Sequence, residues 1–212
     1  MFKIDHHVHT SRYSPDSAIE PDVLIDRARA AGLNGVVITE HDELWPADEL
    51  ADLASRAGGL TVLAGVEVST REGHFLVYGL PDLDEAPPGV ALADLLKLAR
   101  RHGAAVVGAH PFRWGQDFEG LVDEHGPAFD ALELVSNNVT NETRRKTAEL
   151  LARVPMAATG SSDGHEPEVV GCYFTTFPVP IRTLPEFVRA LRTRSGRPGH
   201  RDGAWLSCGP VA

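Results

Sequence analysis

MFKIDHHVHT, residues 1–10, sets a short apolar run against three histidines. Phe2, Lys3 and Ile4 read as a strand ending at Asp5. Alternate side chains of an extended segment share a face, so His7 and His9 point one way and His6 another. Two imidazoles on one face suit a single ion. A purification tag would be longer and more uniform. The spacing alone is weak, and a metal site requires further donors elsewhere in the chain.

Those donors fall at the ends of predicted strands. GVVIT (35–39) is followed by His41 in ITEHD. The run 60–69 carries Glu67 in GVEVS, and 104–110 ends at His110 in VVGAHP. A short strand within 155–163 leads to Asp163 and His165 in SSDGH. Further extended runs are 74–80, 129–135 and 170–177. Helices are expected over 21–31, 47–57, 91–103, 141–154 and 184–193, that over 91–103 clearly amphipathic. Alternating strands and helices imply an α/β fold with a mainly parallel sheet, and a closed or distorted barrel suits it better than an open sheet. In such barrels the C-terminal rim carries the site, because its loops converge there. Taken singly, His110 suits a core histidine, Glu67 a buried ion pair and Asp163 a turn. Their shared location argues for one site. His102, His125 and His200 read as ordinary surface residues.

The composition excludes several classes. With 212 residues and 42% hydrophobic content, the chain fits one globular domain. No apolar run approaches a membrane span, and no signal peptide is legible. Cys172 and Cys208 are too few for a disulfide framework, so a cytoplasmic protein is the simplest reading. A net charge of -10 disfavours stable binding to duplex nucleic acid. Neither GxGxxG nor GxxxxGK[ST] follows the first strand. Residues from 196 to 212 are rich in glycine and proline without a period, and read as a tail after a domain over 1–195.

DHHVHT, TEHD, GVE, AHP and SDGH, in that order, resemble the motifs of the PHP (polymerase and histidinol phosphatase) superfamily. The resemblance covers residues 1 to about 195. It implies a distorted (β/α)7 barrel with two or three metal ions at the C-terminal rim. It also implies nine ligands: His7, His9, Asp16, His41, Glu67, His74, His110, Asp163 and His165. Glu40 replaces the aspartate usual before the second-motif histidine and is expected to orient a ligand. The expected reaction is metal-dependent phosphoester hydrolysis, with Glu67, Asp163 and His165 as the catalytic set.

Mixed histidine and carboxylate donors suit zinc, manganese or iron. Glu67 is the natural bridge, since its two oxygens can serve two ions. Two ions about 3.5–4 Å apart can share a hydroxide that attacks phosphorus. Arg12 and Arg113, beside ligand motifs, are candidates to grip phosphate, and Asn138 to line the pocket. Arg145 reads as solvated surface.

The expected partner is a small phosphorylated metabolite or nucleotide. The alternatives are a nuclease on short single strands and a non-catalytic metal-binding module supporting a partner. An amidohydrolase with a carbamylated lysine is disfavoured, because Lys3, Lys97 and Lys146 are the only lysines and the last two lie in helices.

Overall fold

The computed structural model describes residues 1–202; Cys208 and the rest of the chain from residue 203 lie outside the described residues. Among the described residues, one sheet of nine strands curls into a nearly closed barrel. The strands are β1 (Phe2–Val8), β2 (Gly35–His41), β3 (Thr61–Ser69), β4 (His74–Tyr78), β5 (Ala105–Gly108), β6 (Ala131–Val135), β7 (Ala157–Gly160), β8 (Tyr173–Phe177) and β9 (Arg197–His200). Their spatial order is β7-β6-β5-β4-β3-β2-β1-β8-β9. β4 and β8 run against their neighbours, and the other pairings are parallel. β9 lies within the stretch whose composition reads as tail; four of its residues pair with β8.

Among the described residues, six α-helices pack on this sheet: α1 (Pro21–Ala30), α2 (Ala47–Arg56), α3 (Leu92–His102), α4 (Phe118–His125), α5 (Asn141–Arg153) and α6 (Leu184–Arg192). α1 and α2 cover one outer flank, where Leu24, Ile25 and Leu53 meet Val8, Val36 and Ile38. α3, α4 and α5 cover the other, with Leu95, Phe118 and Leu151 against Phe75, Leu132 and Leu134. Gly103 ends α3 in the left-handed conformation that favours glycine. α6 follows β8 at the end opposite the parallel strands' C-termini. Its Thr183–Glu186 capping box fixes its start. Phe187, Val188 and Leu191 then join Ile4, Val37, Leu76 and Val107 in the interior cluster. The barrel is therefore plugged at one end. Among the described residues no helix is long and apolar enough to cross a membrane.

The seam is closed by side chains. Thr175 Oγ1 on β8 accepts from Gly160 N and donates to Gly160 O, both at 2.9 Å. A Cβ on Gly160 would lie 2.8 Å from Val135 Cγ2 and 3.1 Å from Pro198 Cβ, so only glycine allows β7 this close.

Candidate metal centre

β1 runs three residues past Asp5, and its register on β2 shifts between Asp5 and Val8. Such a shift re-aims side chains. Ile4 packs in the barrel interior and Val8 in the outer cluster, while His6 and His7 are both fully buried. His41 ends β2 and pairs in register with Glu67 on β3. His110 follows β5, and Asp163 and His165 follow β7. His74 reaches the same rim because β4 is reversed and starts there. Asp16 comes from the connection between β1 and α1.

Glu67 is the hub. Its Oε2 lies 3.3 Å from Nε2 of His7, 3.3 Å from Nε2 of His9 and 3.1 Å from Nδ1 of His41. Its Oε1 lies 3.0 Å from Nδ1 of His74 and 3.1 Å from Nε2 of His110. Asp163 Oδ1 lies 3.3 Å from His7 Nε2 and 3.6 Å from His9 Nε2. Asp16 Oδ2 lies 3.2 Å from His41 Nε2 and 3.3 Å from His165 Nε2. All nine candidate ligands thus meet in one place. Burial by itself raises the Glu67 carboxyl, but His7, His110 and His41 outweigh it and hold it well below the usual carboxylate range. Asp163 is likewise held low against burial by His7 and His9.

The donor set fits divalent ions. Nε2 of His7, Nε2 of His9 and Oε2 of Glu67 are buried without a hydrogen-bond partner, an arrangement that costs free energy unless something ligates them. Three overlapping groups have donor atoms within 4.8 Å of one another: His7, His9, Glu67 and Asp163; His9, His41 and His165; and His41, Glu67 and His74. Nitrogen and oxygen donors without sulfur suit zinc, manganese or iron.

A second layer orients these groups, and sequence reasoning missed its main member. Glu133, on β6, is fully buried. Its Oε1 lies 3.1 Å from His7 Nδ1 and accepts from Ser161 Oγ, while its Oε2 accepts from His110 N at 2.8 Å. The one available signal was a carboxylate inside the apolar run ALELV. Glu40 acts through Ser14: it accepts from Ser14 Oγ, both donors of Thr10 and Trp45 Nε1, and Ser14 Oγ lies 3.3 Å from His9 Nδ1. His110 and Asp163 have φ of 29° and 50°, values uncommon for residues with a side chain. Asp163 N donates to His7 O at 2.8 Å, and Asn138 Nδ2 donates to Asp163 Oδ2 at 2.6 Å, which helps hold that backbone.

Beneath this layer, His6 packs against Tyr78, with Nδ1 2.8 Å from the Tyr78 hydroxyl and Nε2 3.2 Å from Thr175 Oγ1. Burial lowers its imidazole to about 4. Asp5 accepts from Ser162 N and Gly171 N, and burial raises its carboxyl to about 6.

A cavity of about 500 Å³ opens over Glu67, lined by Arg113, Trp114 and Asn138 among others. Arg12 belongs elsewhere, which corrects the expectation of a phosphate contact. Its Nε and Nη2 donate to Glu49 on α2 at 3.0 Å each, and it lies over the Tyr13 ring, in a separate groove with Glu20 and Asp48. The carboxylate of α2 captures the guanidinium on the outer side of the site. Arg145 pairs with Glu149, as its surface reading expects. No lysine reaches the site: Lys97 and Lys146 pair with Asp94 and Glu142 on helix surfaces, and Lys3 lies over Phe174.

Residues 5–164 match the model of the PHP domain, and residues 141–195 match that of the PHP-associated region. Among curated proteins, a 5'-3' exoribonuclease of Haemophilus influenzae is 32% identical over 108 residues, which is 50% of this chain and 38% of that protein. A 3',5'-nucleoside bisphosphate phosphatase of Chromobacterium violaceum is 38% identical over 117 residues, 51% of this chain and 40% of that protein. The chain therefore matches well under half the length of either relative. Among solved structures, a two-domain protein of Bacteroides vulgatus containing a predicted PHP-like metal-dependent phosphoesterase superposes with a TM-score of 0.74 at 21% identity. That match covers 94% of this chain and 64% of the other.

Proposed function

The chain belongs to the PHP domain family, and from that premise we propose that it is a metal-dependent phosphoesterase that hydrolyses a small phosphorylated metabolite or nucleotide. The observation that carries this reading is Glu67, whose two oxygens face five imidazoles at the open end of a plugged barrel. The proposed ligands are His7, His9, Asp16, His41, Glu67, His74, His110, Asp163 and His165. Two or three divalent ions held there would supply Lewis-acid activation of water and neutralise charge on the phosphoryl group.

The chain's own residues supply the rest. Glu133 turns Nδ1 of His7 toward itself and leaves Nε2 for the site. Burial lowers the His165 imidazole, which favours its neutral form. Asn138 fixes Asp163 so that Oδ1 faces His7 and His9. Arg113 is placed to bind phosphate oxygens, because its side chain lines the cavity and makes no ion pair among the described residues.

A nuclease acting on short single strands is the second reading, supported by the likeness to the exoribonuclease. Both readings predict phosphate-ester hydrolysis. Phosphate release measured across a metabolite and oligonucleotide panel, after reconstitution with manganese, zinc or iron, tests them. Turnover of no phosphate ester under any metal would overturn both.

A further inference from the structure

The stretch HPFRWGQ (110–116) connects β5 to α4 and passes over the cavity. Its backbone is left-handed at Phe112 (φ 65°) and Trp114 (φ 56°), bulky residues that rarely adopt it. Two anchors hold this shape. Phe112 packs into the outer core and meets Phe118, with ring centroids 6.0 Å apart. The Gln116 amide lies against Gly73, where a Cβ would come within 2.1 Å of its nitrogen. Between the anchors, Trp114 is 67% exposed, the one aromatic among the exposed large apolar side chains of the described residues. Its indole stands steeply against the imidazoles of His74 and His110, with centroids 5.4 and 5.7 Å away. The Arg113 guanidinium lies over the indole, 4.1 Å from its centroid.

Strain, anchoring and exposure at one place indicate a built surface for a ligand. We propose that Arg113 and Trp114 form a stacking platform that selects phosphate esters whose leaving group carries a planar ring, a nucleobase being the fitting chemistry. The platform adjoins His74 and His110, both of which touch Glu67. A substrate that used both would have to join its ring to its phosphate, as the sugar of a nucleotide does. Base–aromatic stacking tolerates any base, because each presents a π-face. The guanidinium adds a cationic plane to the stack and a charge for the phosphate. This selection rests on the phosphoesterase reading for its purpose.

The test separates the two. Binding of adenosine 5'-monophosphate and of ribose 5-phosphate is measured by calorimetry on the wild-type protein, Trp114→Ala and Trp114→Phe. The expected result is a wild-type preference for the nucleotide. Trp114→Ala should lose on the order of tenfold in nucleotide affinity, with ribose 5-phosphate changed less than twofold, and Trp114→Phe should restore most of the loss. Equal wild-type binding of both compounds, or equal effects of Trp114→Ala on both, would overturn the platform. Phosphate release from the same two compounds by metal-loaded enzyme is the second arm. Release from neither, with selective binding intact, counts against the hydrolytic reading and leaves the platform standing. With turnover present, Trp114→Ala should raise KM for the nucleotide and leave kcat unchanged, since stacking is equal in ground and transition states.

Discussion

Glu133 Oε1 lies 3.1 Å from Nδ1 of His7, on the side of the ring opposite Glu67. A carboxylate in that position fixes the tautomer and raises the basicity of the nitrogen that faces a metal. Glu133→Gln keeps the shape and removes the charge. It should weaken metal affinity by roughly 10–100-fold while the far-ultraviolet circular dichroism stays that of the wild type. Metal titration of chelator-treated protein measures this; unchanged affinity would show that Glu133 is only a partner of Ser161 and the His110 amide.

Elemental analysis of protein purified without chelator should give two or three equivalents of zinc, manganese or iron per chain. Chelation should lower the melting temperature, because bound ions stabilise the folded state by mass action. A value near zero after metal supplementation would end the metal hypothesis.

Glu67→Gln should abolish hydrolysis of a phosphate ester without unfolding the chain. Its two oxygens are the shared contact of five histidines, and an amide supplies neither the charge nor a second acceptor. Wild-type turnover with unchanged metal content would contradict the bridging role.

Arg113→Ala and Arg12→Ala should part company. Loss of a charge-assisted contact in a partly shielded site is worth about 1.5–3 kcal/mol, on the order of 10–150-fold in kcat/KM. That loss is expected for Arg113. Arg12 is committed to Glu49 outside the cavity, so its removal should alter kcat/KM less than twofold. Equal losses in steady-state kinetics would return Arg12 to the substrate.

How far the sequence discloses this site depends on the residue. The alternation of strands and helices, and the placement of His41, Glu67 and His110 near strand ends, are readable because periodicity and motif spacing are local. Glu133 was not readable, since its role is set by the register of β6 beside β5 and by the facing His7, both long-range. Arg12 misled for the same reason: proximity to the first motif says nothing of Glu49, which reaches it from another helix. α4 and β9 also escaped notice. β9 is a Gly- and Pro-containing strand whose pairing with β8 overrides its local propensity.

His6 should make the fold acid-sensitive. Its imidazole is lowered from 6.5 to about 4 by burial. The unfolded chain therefore takes up a proton between these values before the folded one does. The stability His6 supports is present above pH 6.5 and is lost as pH falls toward 4, by up to about 3 kcal/mol. Relative to His6→Gln, which does not titrate, the wild type should lose stability over that window in denaturant unfolding at stepped pH. Asp5, raised to about 6, acts in the opposite sense in both proteins and cancels from the difference. Parallel curves would show that His6 titrates normally.

The seam between Gly160 and Thr175 has a consequence for self-association. An open sheet ends in two rows of unpaired amides and carbonyls, which invite strands from other molecules. Here the terminal strands β7 and β9 are turned toward one another, and the Gly160 amide and carbonyl are both taken by a threonine hydroxyl. At Gly160 the barrel thus shields its own margin from templated growth. A strand from another molecule that approached β7 at this point would find neither group free to pair.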